Sequence, residues 1–142
     1  MNKEIYLSDK EFYEYTVHQI EREQDLVNTR ISWTLTFEGF LFAAIAIAVR
    51  KDTPTAIGEL FGYIIPLIGI AVAMLSLVGI YAAALSKDTI KQRWTQRSAH
   101  KLYPPTFGSR KISALGRITS YGIPIVLIVS WFLLLICLSF AA

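Results

Sequence analysis

A single carboxyl group, that of Glu38, interrupts the apolar stretch TLTFEGFLFAAIAIAVR that covers residues 34–50. Arg30 and Arg50 are the nearest charged residues on either side, so the midpoint of the apolar stretch lies near residue 40. In a helix Glu38 would be about 3 Å from that midpoint along the axis. A charge at the centre of a bilayer costs about 2.5 to 3.5 kcal/mol on insertion scales, and more by other estimates. We therefore expect Glu38 to face neighbouring helices.

Polar side chains in two other apolar stretches fall at a similar depth. Ser76 lies one turn from the centre of the second stretch, and Ser130 and Trp131 lie at the centre of the third. Tryptophan usually prefers the edge of a bilayer, so a central tryptophan is itself out of place. We predict that Glu38, Ser76, Ser130 and Trp131 form one buried polar cluster in which the indole N–H and the hydroxyls donate to the carboxyl group.

Two interpretations of the Glu38 carboxyl group stay open, besides a position facing lipid. No basic residue lies within any apolar stretch, and desolvation favours the protonated form, so Glu38 can be a neutral group that ties helices together. Alternatively, glutamates from several subunits could form a ring that lines a cation path or a gate. The substitution Glu38→Gln separates the two, because only the second interpretation requires charge.

Basic side chains recur at four-residue spacing on one helical face after the second apolar stretch. These are Arg93, Arg97 and Lys101, with Trp94 adjacent. They could bind a nucleotide or another anionic signal. Positive charge on the cytoplasmic side, contact with anionic lipid and pairing with an acidic helix explain the same residues, and we rank these explanations higher.

Other patterns that could do chemistry are weak. Glu14, His18 and Glu21 share a helical face and resemble a metal-binding triplet, but a solvated helix face is a far commoner reason for this spacing. Cys137 is the only cysteine and lies within an apolar stretch, so neither an intrachain disulfide nor a zinc site is expected. The sequence contains no catalytic motif such as H-E-x-x-H, G-x-S-x-G or a Walker-type loop. We expect no cofactor, no metal and no enzymatic activity.

Three apolar stretches must position these residues. The chain has 142 residues, of which 54% are hydrophobic and 18% charged. Residues 31–49 contain only one charge, and residues 60–85 and 118–142 contain none. Each stretch is long enough to cross a bilayer core, which needs roughly 20 helical residues. The sequence therefore predicts a single all-α domain over residues 1–142, an integral membrane protein with three transmembrane helices.

The first transmembrane helix is predicted to continue from a long N-terminal helix. Ser8-Asp-Lys-Glu11 has the form of a capping box, and neither proline nor early glycine interrupts the helical pattern up to Arg50. Within it, a heptad seam predicts a partner helix. The residues of the seam are Tyr13, Val17, Ile20, Gln24, Val27, Ile31, Thr34 and Glu38.

The second transmembrane helix is predicted to extend over residues 86–102. A loop, TFGSRKIS, then leads to a third span that begins near Ala114 or Ile118, with Gly122 and Pro124 in its first turns. Residues 9–30 and 86–102 are expected to pack as a small cytoplasmic helical bundle. Pro66 is expected to bend the second span.

A stripe of small residues follows one face of the second span. Small residues at helical spacing allow two helices to approach closely, which is how helices associate in lipid. Together with the seam, this stripe predicts a homo-oligomer, for which we expect a tetramer. The stripe consists of Gly62, Pro66, Gly69, Ala73, Ser76 and Ala83.

The distribution of charge predicts the orientation. With three spans, twelve lysines and arginines lie on the side of residues 1–30 and 86–117, and two lie on the other side. The N-terminus is therefore expected in the cytoplasm and the C-terminus outside, and no cleaved signal peptide is expected. Residues 1–30 carry four basic and seven acidic residues, and residues 86–117 carry eight and one. These oppositely charged segments are expected to lie together.

Residues 21–44, EREQDLVNTRISWTLTFEGFLFAA, resemble a segment of small, mostly uncharacterised bacterial membrane proteins. In these an acidic helix leads through an N-x-R-x-x-W-like segment into the first span. The matching positions are Asn28, Arg30 or its neighbours, Trp33, Gly39, Phe40 and Phe42. Some proteins of this build look like membrane effectors of phage-defence systems, in which a nucleotide signal opens or assembles a membrane oligomer and the cell loses its membrane potential. An amide is frequent in such proteins where Glu38 stands, which favours the neutral interpretation.

Two functions from different classes follow as expectations. The first is a membrane effector or small channel-like homo-oligomer of the bacterial inner membrane, gated through its cytoplasmic helices by a nucleotide signal or a partner protein. The second is a non-conducting accessory or scaffold subunit of a membrane complex. Membrane lipids are expected partners in both, and direct DNA binding is expected in neither.

Overall fold

The computed structural model describes residues 7–48, 55–96, 103–104 and 110–141. Within these ranges the chain forms three helices: α1 (Asp9–Ala48), α2 (Thr55–Gln96) and α3 (Arg110–Ala141). Each helix is long and apolar enough to cross a membrane. The described part of the chain is thus all-helical, as expected of a multi-pass membrane protein.

The first turn of α1 is closed by side chains at its N-terminus. The backbone N–H and the hydroxyl of Ser8 both donate to Oε2 of Glu11, at 2.8 Å and 2.7 Å, and the N–H of Glu11 donates to the Ser8 hydroxyl oxygen at 3.3 Å. These hydrogen bonds with Ser8 hold the pKa of the exposed Glu11 carboxyl group below its usual value. The reciprocal pair satisfies backbone donors that have no partner within the helix, which fixes its start at Asp9.

The helix α2 is the central element of the fold. It packs along α1 on one side and along α3 on another, whereas α1 and α3 meet only over a short stretch. Side chains from α1 and α3 therefore approach each other where α2 leaves room between them. The short stretch where α1 and α3 meet beside α2 is the place where a polar side chain can be enclosed.

One face of α1 is buried against the rest of the same chain. Its buried residues are Phe12, Thr16, Thr34, Glu38 and Ile45. This face follows the predicted seam at Thr34 and Glu38 and runs one position earlier than predicted near the N-terminus. Gln24, at the polar position of the seam, is exposed. The helix that covers this face in the structure is α2 of the same chain.

Aromatic side chains join α1 to α2 and to Tyr103 at the end of the helical pair away from Glu38. Phe12 stacks on Trp94, with ring centroids 5.8 Å apart, and Tyr13 stacks on Tyr103 at 4.9 Å. Tyr13 also contacts Trp94 in a tilted geometry. We call these four residues the aromatic cluster. Charge complementarity alone did not predict these apolar contacts between the oppositely charged segments.

The helix α3 begins earlier than the sequence indicated. Residues 110–113, predicted as part of a loop, are helical, and the rest of that predicted loop up to residue 109 lies outside the described residues. The prediction that Pro124 occupies the first turns of the helix is therefore wrong. Pro124 is fully buried inside the helix, where its missing N–H leaves the carbonyl of Ser120 without its usual partner.

Large apolar side chains cover the outside of the three helices. Trp33 and Phe40 of α1 and Leu75 of α2 are 70–74% exposed, and Phe140 of α3 is 89% exposed. Soluble monomers rarely expose apolar surface on this scale. Such a surface needs lipid chains or further protein around it.

Candidate functional site

The carboxyl group of Glu38 is enclosed between the three helices. Only 1% of the residue is exposed, and the indole nitrogen of Trp131 donates a hydrogen bond to its Oε2 at 2.6 Å. This bond joins α1 to α3 across 93 positions of sequence. The structure thus brings together two of the four residues that were expected to form a polar cluster.

The indole of Trp131 is held on two sides. Phe42, one turn after Glu38, stacks on it with ring centroids 4.1 Å apart and planes 5° from parallel. Gly69 of α2 lies so close to the indole that a Cβ atom there would overlap its ring atoms. Trp131 is fully buried as a result. The surrounding side chains therefore fix the direction of the indole N–H, which donates to the carboxyl group.

The small-residue stripe of α2 makes this arrangement possible. All six of its residues are buried within the subunit, and Ala73 is 0% exposed. A Cβ atom on Gly62 would meet Leu138 of α3 at an ordinary contact distance of 3.8 Å. The stripe lets α1 and α3 approach α2 in one subunit, so these residues offer no free surface to a second copy.

The two serines do not join the cluster as predicted. The Ser130 hydroxyl donates to the carbonyl of Val126 on its own helix at 2.8 Å. Ser76 is buried, but its hydroxyl oxygen has no hydrogen-bond partner among the described residues, and neither has Oε1 of Glu38. The prediction that both hydroxyls donate to the carboxyl group is therefore wrong in this structure. Within the described ranges, one carboxyl oxygen and one hydroxyl thus remain buried without a hydrogen-bond partner.

The environment of Glu38 bears on the two interpretations of its role. The carboxyl group is closed in by the helices of one subunit and does not lie on an outer face where it could meet copies of itself. This geometry fits a group that ties α1 to α3. A ring of glutamates around a symmetry axis would require the three helices to separate first.

A second contact between helices, this one between α1 and α2, lies two turns before Glu38. The guanidinium group of Arg30 donates to the carbonyl oxygen of Gly79 at 2.8 Å, and its aliphatic part lies over the α-carbon of Gly79. Arg30 thus crosses to the facing helix and does not only mark the start of an apolar stretch. No simple sequence pattern indicates this contact.

The structure changes the interpretation of the predicted anionic-ligand site. Trp94 is 4% exposed because it belongs to the aromatic cluster, so its ring is not available to stack on a ligand. Arg93 is exposed, whereas Arg97 and Lys101 lie outside the described residues. Among the described residues of this predicted site, Arg93 is therefore exposed and Trp94 is enclosed.

The triplet of Glu14, His18 and Glu21 is divided between two contacts. Glu14 lies 3.9 Å from the ammonium group of Lys10, and His18 lies 3.6 Å from the carboxyl group of Glu21, all at the surface. Within the described ranges, no group of three side chains is placed to hold a metal ion. These contacts are those of a solvated helix face.

A groove between α1 and α2 was not anticipated from the sequence. It has a volume of about 420 Å³ and lies between the aromatic cluster and the Arg30–Gly79 contact. Its residues come from both helices at spacings that only their antiparallel packing brings together. They are Gln19, Arg22, Glu23, Leu26, Ser86, Thr89, Ile90 and Arg93.

Comparisons of the chain with protein-family models, with curated proteins and with solved structures found no match.

Proposed function

We propose that the protein is a membrane effector or small channel-like homo-oligomer of the bacterial inner membrane, controlled through the parts of α1 and α2 that protrude into the cytoplasm. Three helices that can cross a membrane support the setting. The charge distribution of the chain supports the orientation, with the N-terminus inside. A catalytic role has no support from any sequence motif.

The observation that carries this proposal is the continuity of α1 and α2. They contain 40 and 42 residues, which corresponds to lengths of about 60 Å at 1.5 Å per residue. A bilayer core is about 30 Å thick, so roughly half of each helix extends beyond it. A helix without a break transmits a displacement at one end to the other. Movement at the aromatic cluster would thus reach the contact between Glu38 and Trp131.

The resemblance of residues 21–44 to bacterial membrane effectors adds a biological setting to this proposal. In that setting a nucleotide signal or a cytoplasmic protein acts on the protruding helices during phage infection. Several copies, for which we propose four, would then change their packing and dissipate the membrane potential. The exposed apolar faces of α1 and α3 supply surface for contacts between copies.

The proposal is tested by the membrane potential of expressing cells. We expect expression to depolarise the cells, as reported by a potential-sensitive dye. We also expect separation of the aromatic cluster by Phe12→Ala to change the extent of depolarisation, while Tyr15→Ala, a surface change on the same helix, leaves it unaltered. Expression without any depolarisation, in the presence of correctly inserted protein, would contradict the proposal.

We predict that Glu38→Gln retains both folding and depolarising activity. Glutamine keeps a carbonyl oxygen that can accept the indole hydrogen bond and is close to glutamate in shape. We expect the rate of depolarisation to stay within about twofold of the parent, which is less than 0.5 kcal/mol in barrier height. Dye measurements at matched expression levels check this. Loss of activity in a folded Glu38→Gln protein would show that charge at residue 38 is required.

A second candidate function is a non-conducting accessory or scaffold subunit. It is favoured by the enclosure of Glu38 and of the small-residue stripe inside one subunit, which leaves apolar side chains on the outside. Purified protein in liposomes separates the two functions. An effector should release a trapped ion gradient, and a scaffold should leave the gradient intact.

A further inference from the structure

We propose that α1 of one copy of the protein packs against α3 of the next copy. The proposal rests on the homo-oligomer put forward above and assigns the interface between its copies. For this contact α1 uses the side opposite its buried residues, which we call the back face of α1. A contact between two different surfaces joins copies into a ring when the rotation between them allows closure.

The back face is acidic where α1 precedes the first apolar stretch. This part follows spacings of three and four residues, and every side chain in it is exposed. It consists of Glu11, Glu14, His18, Glu21 and Asp25. Lys10 approaches Glu14 at 3.9 Å and His18 approaches Glu21 at 3.6 Å. With Lys10 included and His18 neutral, four acidic residues and one basic residue give this part a formal charge of −3.

The start of α3 has the opposite charge at the same depth. Residues 110–117 contain three basic residues and no acidic residue. Arg117 lies 3.7 Å from Asp88 of α2, and Ser86, two positions earlier in α2, donates to Glu23 of α1 at 3.0 Å. With Asp88 included, three basic residues and one acidic residue give a formal charge of +2. The start of α3 is therefore positive and level with the acidic part of the back face.

These opposite charges are separated within one copy. α2 packs along both α1 and α3, whereas α1 and α3 meet only over a short stretch. The back face points away from α2, so in one copy it is a surface. Opposite charges on two surfaces at equal depth attract each other and favour one partner surface over others. A neighbouring copy in the same membrane presents its α3 at that depth.

Inside the membrane the two surfaces also complement each other in shape. The back face carries small, exposed side chains there, which allow a partner helix to approach closely. They belong to Ser32, Thr36, Gly39 and Ala43. The outer face of α3 carries branched aliphatic side chains at a similar spacing, each about half exposed or more. They belong to Ile118, Ile125, Val129 and Ile136.

Two other contacts between copies are less favourable. Two back faces against each other would bring two rows of carboxyl groups together, and like charges across an interface cost free energy. α2 offers less surface than α3, since 33% of its most apolar window is buried within the chain and only 11% of that of α3 is. The partner of the back face is therefore α3.

The register of this contact follows from the structure of one copy. α1 and α3 run in the same direction, because α2 is antiparallel to both. The hydrogen bond between Glu38 and Trp131 joins residues 93 positions apart at similar depth. Copies related by rotation about the membrane normal keep this depth. Thr36 is thus level with Val129 of the next copy, and Ala43 with Ile136.

Disulfide cross-linking of the full chain in native membranes tests the contact. The lone cysteine is first removed by Cys137→Ala, and the test variant is then Thr36→Cys/Val129→Cys. The control, Ala71→Cys/Val129→Cys, places the first cysteine on α2 at the depth of Val129, since Gly69 lies against Trp131. Ala71 is exposed like Thr36. A second test variant, Ala43→Cys/Ile136→Cys, probes the same contact one register further.

We expect copper phenanthroline to produce a ladder of dimers and larger species in both test variants, and not in the control or in Thr36→Cys alone. Absence of a ladder in both inserted test variants would overturn the proposal, and so would an equal ladder in the control, since random collision would then explain it. Dimers of Thr36→Cys alone would show that two back faces meet, which also contradicts it.

Charge reversal tests the attraction between the two surfaces. In the Thr36→Cys/Val129→Cys background we expect Glu21→Lys/Asp25→Lys to lower the ladder about three- to tenfold, as loss of a few exposed ion pairs would. Adding Arg110→Glu/Lys111→Glu should restore it. Gln24→Lys, a lysine about 100° around α1 from Asp25, should leave it unchanged. A ladder that reversal does not alter, or that the second pair does not restore, would refute the charge complementarity that carries the proposal.

Cross-linking reports assembly and does not depend on ion flow. A ladder in cells that keep their membrane potential would support this interface and contradict the effector. Depolarised cells without a ladder would contradict this interface and leave the effector standing.

Discussion

Substitution of Gly69 by alanine will destabilise the folded protein by about 2 to 3 kcal/mol, at the upper end of what overpacking usually costs. The added Cβ atom would overlap the indole of Trp131, which is fully buried and stacked on Phe42. The indole can avoid this overlap only by leaving its position, and its hydrogen bond to Glu38 would then break. One methyl group thus disturbs the contact of all three helices.

Gly39→Ala is the matched control for this substitution. Gly39 lies beside Glu38 at the same depth, is exposed, and has open space where a Cβ atom would stand. We expect the stability of this variant to be unchanged or slightly higher, since alanine is favoured over glycine in helices by up to about 1 kcal/mol. Reversible unfolding in bicelles by added dodecyl sulfate measures both. Equal stability of the two variants would contradict the packing described around Trp131.

The second large effect is expected at Trp131 itself. Trp131→Ala removes the largest fully buried side chain of the described residues and should cost about 3 to 5 kcal/mol. Trp131→Phe retains most of the volume but removes the N–H, which leaves the carboxyl group of Glu38 without its partner. We expect Trp131→Phe to cost about 1 to 3 kcal/mol, the usual penalty for a buried polar group that loses its hydrogen bond.

A double-mutant cycle isolates the hydrogen bond between these residues. Glu38→Leu removes the acceptor and leaves the indole N–H unpaired, so it should also destabilise the protein. The double variant Glu38→Leu/Trp131→Phe leaves neither polar group unpaired. It should therefore lose less stability than the sum of the losses in the two single variants. A coupling of about 1 kcal/mol or more is expected for residues in contact. Strictly additive costs would show that the two side chains do not interact.

The sequence predicted the depth of the polar site along the helix axes. Counting helical rise from the charges that bracket each apolar stretch placed Glu38 and Trp131 at similar depths, and the structure joins them by a hydrogen bond. The start of α1 at Asp9 was also predicted, since the capping box acts locally. Both inferences depend only on positions along a single helix axis, and the spacing of residues in the sequence determines such positions well.

Positions around the helix axis were harder to predict. Ser130 and Trp131 share a depth but point about 100° apart, and the structure directs Trp131 inward. The small-residue stripe correctly indicated close helix approach, but we took it to indicate contact between copies of the chain. In the structure the partner helices are α1 and α3 of one chain. The rotation of each helix about its axis depends on tertiary packing, so the residue pattern of one helix alone did not predict it.

The groove and the contact of Arg30 with Gly79 were missed for a related reason. Arg22 and Arg93 are 71 positions apart in the sequence and line the same groove through the antiparallel pairing of α1 and α2. Arg30 seemed only to bound an apolar stretch. The pairing register of two long helices is required before such contacts become visible.

The enclosure of Glu38 changes how the protein would work as an effector. A path for ions would have to form where helices of different subunits meet, because the carboxyl group is occupied inside one subunit. The contact between Glu38 and Trp131 would then set the stability of the resting state. Signals at the protruding helices would act by weakening or preserving this contact.

The most direct measurement of this contact is the nitrogen-15 and proton spectrum of the tryptophan side chains in phospholipid nanodiscs. The chain has three tryptophans, and Trp33, which is 74% exposed, serves as an internal reference. We predict that the indole N–H proton of Trp131 resonates downfield of that of Trp33, and that Glu38→Leu shifts it upfield. A Trp131 resonance that coincides with Trp33 and does not respond to Glu38→Leu would contradict the enclosed carboxyl–indole contact.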